Sequence, residues 1–451
     1  MKNFLPVICF IAALVIAVLD FPNSAVAVML TAISSLVVIF SIRYFSPEES
    51  EYLTNLFLVA LLARLIFGTL LHVYGWRNFF GGDADTYDIY GNWLMEIWFG
   101  LNITDNAIKT NNSGWGMPYL VAAIYSVIGR NIFAAQCFCG VIGAATAPLV
   151  YNCAYQIFGN RRVGKISALL VALYPAFIIW SGQLLKDGLI VFLLVLTITM
   201  ILQLQKKFSY QAVIVIVLAL FGIFSLRFYI FYMVAVAAVG SFVIGLSSSA
   251  QSMIAKLIIL VIIGFGLTYL GALRNAEKDI DQYTNLERIQ QSRADLARAG
   301  SGFGQDINVS TTEGAISAIP VGFVYLMFAP FPWQMTSLSQ LMTLPDMLIW
   351  WGMMIFLVRG LIFSIKNRLR NSIAVLMFSL MLTIAYCIFQ GNVGMAYRQR
   401  TQIQVFLFMF GAVGWTLLQE SKENKKAVLL AKNRERSGKN TTQASVQGIY
   451  K

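Results

Sequence analysis

The sequence contains repeated apolar stretches of roughly 20 residues, and this pattern restricts the fold more than any other feature. A stretch of this length crosses a hydrocarbon core about 30 Å thick as an α-helix, whereas a membrane barrel would need strands of alternating polarity. The composition agrees, because 58% of the 451 residues are hydrophobic and only 12% are charged, with a mean hydropathy of +0.71. We therefore expect an all-α, polytopic integral membrane protein.

The apolar runs predict about twelve membrane-spanning helices. Two further stretches, 117–129 and 315–332, are harder to assign, because the first is short and the second contains several prolines. We expect a single membrane domain at 1–418, followed by a basic cytoplasmic tail at 419–451. The apolar runs lie at 4–20, 24–42, 53–74, 131–158, 166–182, 187–204, 211–225, 228–246, 254–273, 346–365, 371–390 and 402–418.

Basic loop residues indicate the orientation of the chain, because Lys and Arg concentrate on the cytoplasmic side of a membrane. The connections at 161–165, 206–207 and 366–370 are basic, and so is the tail. All of them are cytoplasmic if the two unassigned stretches lie at the interface or re-enter the membrane. Both termini are then cytoplasmic, and the regions 75–130 and 274–345 are extracytoplasmic.

The second extracytoplasmic region begins with an amphipathic pattern. Its apolar residues, from Ile280 to Leu296, recur at helical spacing between charged residues. This pattern predicts either a helix at the membrane interface or a solvated helix that covers the domain.

The composition argues against several classes of function. The net charge of +12 would suit a nucleic-acid partner, but the basic residues fall mainly in short loops and the tail, so we expect none. The five cysteines lie in apolar spans without metal-binding or redox spacing. The single histidine, His72, argues against a Ser-His-Asp triad and against a His-rich metal site.

Three acids lie close together in the first extracytoplasmic region, within the segment GGDADTYDIYGNW at 81–93. After Asp83, Asp85 and Asp88 the aromatic and apolar residues have the spacing of a helix along the membrane surface. A carboxylate at this boundary could act as general base toward a hydroxyl acceptor. The acids could equally cap the helix or favour its positive end. Both interpretations remain open.

This segment resembles the acidic motif of integral membrane glycosyltransferases of the GT-C superfamily, such as protein O-mannosyltransferases and the lipid A aminoarabinose transferase. In many members the motif reads Asp-Glu-x-x-Tyr and precedes a surface helix. Asp83 matches the Asp, four residues before Tyr87, whereas Ala84 stands at the Glu position and Asp85 supplies an acid one position later. The shift leaves open which aspartate is the base.

The resemblance continues over residues 75–205. The stretch GWGMPYLVAAIYSVIGRN is similar to the superfamily's Pro-containing surface helix that ends at a Gly. In the superfamily, two spans joined by a basic cytoplasmic turn come next. The corresponding stretch of this chain is AAQCFCGVIGAATAPLVYNCAYQIFGNRRVGKISALLVALYP. The superfamily then has a short external turn, followed by a helix that opens with Asp. The stretch WSGQLLKDGLIVFLLV of this chain is similar to it.

The resemblance implies an enzyme. In this superfamily the donor is a sugar on a polyprenyl phosphate, and the loop Asp is thought to activate the acceptor in an inverting displacement. We therefore expect a membrane glycosyltransferase that moves a hexosyl or pentosyl group to an extracytoplasmic glycan, lipid or protein, in polysaccharide biosynthesis of the cell envelope. Asp83 is the expected base, with Asp85 as its partner or substitute.

A donor of this kind needs cationic groups at the membrane surface to hold its phosphate. Arg398 and Arg400, in GNVGMAYRQRTQIQ, lie at the expected external mouth of the last helix, against the usual charge bias. Together with Lys186 they are the candidates for the donor phosphate. Arg64 interrupts an apolar span, where it could snorkel or pair with an aspartate. The candidates for organising the site are Tyr87, Asp187 and Arg227.

Other functions remain open at this point. A polymerase or ligase of the O-antigen or exopolysaccharide type also has a dozen helices and external arginines, but it acts on diphosphate-linked donors. A transporter or lipid flippase would carry paired ionisable residues near the bilayer midplane, whereas the acids here lie near the surface. Lys186 could also form a purely structural ion pair.

No cofactor is required by these residues. Two close aspartates could bind Mg²⁺ or Mn²⁺, but no further hard ligands accompany them, so we assign no metal site. The expected partners are the polyprenyl-phosphate donor, the acceptor and membrane lipids. Low cysteine use and the basic tail favour a bacterial inner membrane.

Overall fold

The protein is helical, and its described residues contain one isolated β-bridge, between Gly302 and Asn392. The prediction of an all-α, polytopic fold is confirmed. The computed structural model describes residues 4–80, 82–101, 114–244, 264, 285–298, 300–335 and 337–447.

The helices are numbered here in chain order, leaving out turns of four residues or fewer. They are α1 Phe4–Leu19, α2 Asn23–Phe45, α3 Ser50–Val73, α4 Asp83–Trp98, α5 Gly116–Ile128, α6 Ile132–Phe158, α7 Arg161–Leu173, α8 Pro175–Ser181, α9 Lys186–Lys206, α10 Tyr210–Leu226, α11 Phe228–Ile244, α12 Leu286–Ala297, α13 Thr312–Phe328, α14 Leu344–Asn367, α15 Leu369–Phe389 and α16 Val393–Gln447.

The predicted number of spans is not confirmed. Among the described residues seven helices are long and apolar enough to cross a membrane, or eight if the bent pair of α7 and α8 forms one span. The apolar helices α1, α5, α10, α11 and α13 are shorter. A helix occupies every predicted run except 254–273, of which only residue 264 belongs to the described residues.

Both regions that the sequence predicts to be extracytoplasmic contain short helices. In the first region α4 and α5 pack against each other, and α4 exposes Tyr90, Trp93 and Trp98 on one face, as expected for a surface helix. In the second region α12 covers the later part of the predicted amphipathic helix, whereas its beginning, with Ile280, lies outside the described residues. These regions flank the end of the bundle where α3 and α10 end and α9 and α16 begin.

Small residues allow the central helices to approach closely, as is common where helices pack in a membrane. Helix α6 is buried along most of its length, between α2, α3, α7 and α9. At Gly143 a Cβ atom would overlap Ser181, and at Gly360 and Gly414 it would overlap the backbone of the facing helix. The position of α16 is therefore fixed by direct backbone contact with α14.

The break between α7 and α8 occurs at Tyr174–Pro175, where the chain bends by 54°. Pro175 has no N–H group, so the last carbonyls of α7 need other donors. Arg64 from α3 supplies them, donating from Nη1 to Ala172 O at 3.0 Å and from Nη2 to Val171 O at 3.4 Å. On the other side of the break, Asp346 Oδ1 accepts the Ala176 N–H at 3.4 Å.

The bend matters because it sets where α9 begins. Arg64 Nε also donates to Ser181 Oγ at 2.7 Å, at the end of α8. The chain then turns through 182–185 into α9, which opens with Lys186 and Asp187. Arg64 therefore neither snorkels nor pairs with an aspartate, but caps α7 and holds the turn that precedes α9.

Replacing Arg64 by Met should lower the free energy of unfolding by about 2–4 kcal/mol, because buried carbonyls lose their donors. Denaturant or thermal unfolding of the purified protein in detergent measures this change. Arg43→Met is the matched control, since Arg43 is an exposed basic residue in α2, and it should shift stability by less than about 0.5 kcal/mol. Equal effects of both substitutions would contradict the capping role.

Candidate active site

Four elements meet at one end of the bundle and bring charged side chains together. They are the start of α4, the start of α9, the turn between α10 and α11, and the first turns of α16. We call this group the polar cluster, and its members are Asp83, Tyr87, Lys186, Asp187, Arg227 and Arg398.

Arg398 links the two carboxylates of the cluster. Its Nε donates to Asp187 Oδ2 at 2.6 Å, and its Nη1 donates to Asp83 Oδ2 at 2.7 Å. Its guanidinium also lies over the ring of Trp180, 5.4 Å from the ring centroid. An acid from the start of α4 thus contacts a guanidinium from α16, across more than three hundred residues of chain.

Asp187 is the buried centre of the cluster. Its side chain is 0% exposed, and its second oxygen, Oδ1, accepts from Arg227 Nη2 at 3.2 Å. Taking a carboxylate out of water is unfavourable unless cations and donors surround it. Arg227 and Arg398 meet this requirement, so Asp187 fixes the positions of both guanidinium groups.

Asp83 lies at the water-accessible edge of the cluster. Its side chain is 47% exposed, whereas that of Arg398 is 9% exposed. The helix N-cap is Gly82, without a side-chain cap hydrogen bond, so Asp83 is not the cap of α4. As the first helical residue it does lie at the positive end of the helix dipole. The structure therefore gives Asp83 one buried cationic partner and access to water.

Tyr87 stands one turn after Asp83 and is buried within the cluster. Burial, together with the nearby carboxylates of Asp83 and Asp187, raises the pKa of the Tyr87 phenol well above its usual range. The phenol is therefore neutral at neutral pH, and it adds no charge to the cluster.

Basic residues outnumber acidic residues in the cluster. Its basic members are Lys186, Arg227 and Arg398, and its acidic members, Asp83 and Asp187, are paired with the two arginines, so Lys186 has no acid of its own in the cluster. Arg398 Nη2 is buried and has no hydrogen-bond partner among the described residues. An anion placed beside Arg398 would supply both the missing charge and the missing acceptor.

A glycine-rich loop packs against Lys186. Gly114 has a φ of +104°, and a Cβ atom there would lie 2.8 Å from Lys186 Nζ. At Gly116 a Cβ would overlap Ser225, and between them Trp115 packs on Phe221 of α10, with the ring centroids 5.9 Å apart. The positive φ of Gly114 favours glycine, and a Cβ atom there would force the Lys186 ammonium group to move.

The other acids of the motif lie apart from Arg398. Asp85 is partly buried in the first turn of α4. Asp88 faces another side of the helix, where Tyr125 donates to it at 2.6 Å and Arg130 Nη2 at 2.6 Å. The contacts of Asp88 tie α4 to α5 and to the turn that follows α5.

Arg400 points away from the cluster, although it follows Arg398 by two positions. Its side chain is fully buried, and Nη1 donates to the carbonyl oxygens of Leu326, Met327 and Ala329 at 2.9–3.3 Å. The guanidinium stacks 5.8 Å from the ring centroid of Trp350. Arg400 therefore joins α16 to the end of α13 and is not brought to the other candidates.

Trp180 was not predicted from the sequence as part of the site. It ends up beneath Arg398 because α8 stops one residue later, at Ser181. In the sequence, the only indication that Trp180 belongs to the site was its position directly before the predicted external turn. In the part of the chain that the structure describes, no group of three or more His, Cys, Asp or Glu side chains could hold a metal ion.

Comparison with known proteins gives one family match. Residues 113–269 match the family described as dolichyl-phosphate-mannose-protein mannosyltransferase. This range contains Lys186, Asp187 and Arg227, but neither Asp83 nor Arg398. No curated protein matches the chain. The match confirms the resemblance to membrane glycosyltransferases of the GT-C superfamily and implies glycosyltransferase activity.

Replacing Asp187 by Asn should lower the free energy of unfolding by about 3–5 kcal/mol, because two buried guanidinium groups lose their counter-charge. The control is Asp83→Asn, which removes the other carboxylate partner of Arg398 from a half-exposed position. This substitution should lower the free energy of unfolding by less than about 1 kcal/mol. Unfolding of both purified variants in detergent measures the difference. Similar losses in both would contradict the central role of Asp187.

Proposed function

We propose that the protein transfers a sugar from a polyprenyl-phosphate donor to a hydroxyl group of an extracytoplasmic acceptor, with inversion at the anomeric carbon. The observation that carries this proposal is the contact between the half-exposed Asp83 carboxylate and the buried Arg398 guanidinium, at 2.7 Å. This pair places a candidate base beside a candidate phosphate ligand. An inverting transfer from a phosphate-linked sugar needs both groups at one place.

The charge of the cluster supports binding of the donor phosphate. Arg398 offers a buried N–H nitrogen without a partner, and Lys186 stands beside it at the start of α9. Guanidinium and ammonium groups in a partly dehydrated site bind phosphate oxygens more strongly than they would in open water. Arg400 has no part in this proposal, because its Nη1 donates to backbone carbonyls at the end of α13 and its Nη2 donates to Met347 Sδ, away from the cluster.

The proposed reaction is a single displacement. The acceptor oxygen forms a bond to the anomeric carbon while the bond from that carbon to the phosphate oxygen breaks. The acceptor proton passes to the Asp83 carboxylate, and the leaving polyprenyl phosphate gains one negative charge. Arg398 and Lys186 stabilise that charge as it develops.

The remaining members of the cluster hold this arrangement in place. Asp187 and Arg227 fix the guanidinium of Arg398, and Tyr87 is a buried neutral group near both Asp83 and Asp187. Asp85, the other acid considered from the sequence, lies in the same first turn of α4 but makes no hydrogen bond to Arg398 among the described residues, so the proposal assigns the base to Asp83.

Ion pairs at the opposite end of α3 support an external location of the site. Arg161 and Lys165, at the start of α7, pair with Glu48 and Glu49 before α3 begins. This basic connection belongs on the cytoplasmic side by the charge rule. The end of α3 that leads into α4 is then extracytoplasmic, which suits a bacterial inner membrane with both termini inside and a membrane domain at 1–418.

Asp83→Asn should lower sugar transfer by about 10²–10⁴-fold, because the acceptor loses its general base. Transfer from polyprenyl-monophosphate sugars in isolated membranes measures the effect. Asp85→Asn, with the same change of charge two residues away, should retain activity within about tenfold. Full activity of Asp83→Asn would exclude it as the base. Transfer from diphosphate-linked donors alone would instead favour a polymerase or ligase.

Gly114→Ala should raise the KM for the donor by about three- to tenfold, because the new Cβ displaces Lys186 from the phosphate. Gly129→Ala is the matched control, since Gly129 also has a positive φ, +78°, but has open space around its Cβ position. Both variants should lose similar stability, and Gly129→Ala should keep its KM. A donor KM that rises equally in both variants would remove the support for Lys186 as a phosphate ligand.

A further inference from the structure

Arg398 uses each of its three nitrogen atoms differently. Its Nε donates to Asp187, its Nη1 donates to Asp83, and its Nη2 has no partner among the described residues. A guanidinium binds phosphate best through two parallel N–H groups. With Nε held by Asp187, the pair of nitrogens left for such binding is Nη1 and Nη2. One of these two nitrogens is already bound to Asp83.

The two carboxylates hold Arg398 with different strength. Asp187 is 0% exposed and is held in turn by Arg227, so its hydrogen bond to Arg398 is shielded from water. Asp83 is 47% exposed, and ion pairs at such positions contribute little because water competes for both groups. The guanidinium also lies over the ring of Trp180, which adds a second contact that an arriving anion would not disturb. An arriving anion would therefore displace Asp83 and leave the bond to Asp187 intact.

We propose that the donor phosphate and Asp83 compete for the same edge of Arg398, so that donor binding releases the Asp83 carboxylate. This inference rests on the proposed function. Without donor, Arg398 occupies the Asp83 oxygen that would otherwise accept the acceptor proton. With donor bound, Nη1 and Nη2 donate to the phosphate, and the carboxylate becomes available to the acceptor hydroxyl. Donor binding must then precede proton transfer.

The exchange requires no movement of the helix that carries Arg398. Helix α16 is held by the close contact of Gly414 with the backbone of α14, and Arg398 is held by Asp187. Asp83 is the first residue of a surface helix and follows a Gly pair in the sequence, Gly81-Gly82. A change of its side-chain rotamer is enough to break one hydrogen bond. The movable partner is the carboxylate, and the fixed partner is the guanidinium.

The test measures binding of a polyprenyl monophosphate without sugar to the purified full-length protein in lipid nanodiscs. Asp83→Asn should bind this lipid about three- to tenfold more tightly than the unmodified protein, because Nη1 no longer has a competing carboxylate. Asp85→Asn is the matched control, since it removes the same charge nearby without a hydrogen bond to Arg398. It should change the affinity by less than about twofold.

Two results would overturn the inference in distinguishable ways. If Asp83→Asn binds no more tightly than Asp85→Asn, the competition for Arg398 is refuted, while the proposed transferase function can still stand on its activity test. If Arg398→Gln binds the lipid as well as the unmodified protein does, Arg398 is not the phosphate ligand and the proposed donor site is refuted as well. We expect Arg398→Gln to bind at least about tenfold more weakly.

Discussion

The buried carboxylate of Asp187 is the constraint on which the site depends. A charge without any exposure must be compensated on all sides, and here the compensation comes from Arg227 and Arg398, which lie on different elements. Because both guanidinium groups must reach the same acid, the start of α9, the turn between α10 and α11 and the first turns of α16 are drawn to one point. Asp83 joins them through Arg398 and brings the surface helix α4 to the same place. One acid thus positions four separate parts of the chain.

Much of the fold could be predicted from the sequence, because hydrophobic runs report directly on helices that face lipid. The helices occupy the predicted runs wherever the structure describes them, but fewer of them meet the length of a full span than expected. The bend at Pro175 is one reason, since it divides a predicted run into α7 and α8. The sequence marks the proline. It does not reveal that Arg64, more than a hundred residues earlier, caps the broken end.

For the site, the acidic motif and the external arginines were informative because charge is rare in this chain. The structure brings together Asp83, Lys186, Asp187, Arg227 and Arg398, which were selected on chemistry and order along the chain. Helical geometry could have separated Arg398 from Arg400, since two residues differ by about 200° around a helix and cannot face one site. Trp180 could not have been found, because aromatic residues are common near membrane interfaces and only the end of α8 places this one under Arg398.

The close crossing of α14 and α16 at Gly360 and Gly414 has a consequence for the energetics of any reaction at this site. A dipole or cation that is already in position when charge develops needs little reorganisation of its surroundings, and this is the main source of electrostatic rate enhancement in enzymes. Here that preorganisation is built into interhelical backbone contacts formed during membrane assembly. Among the described residues, contacts formed as the bundle folds hold the Arg398 guanidinium in place before a substrate arrives.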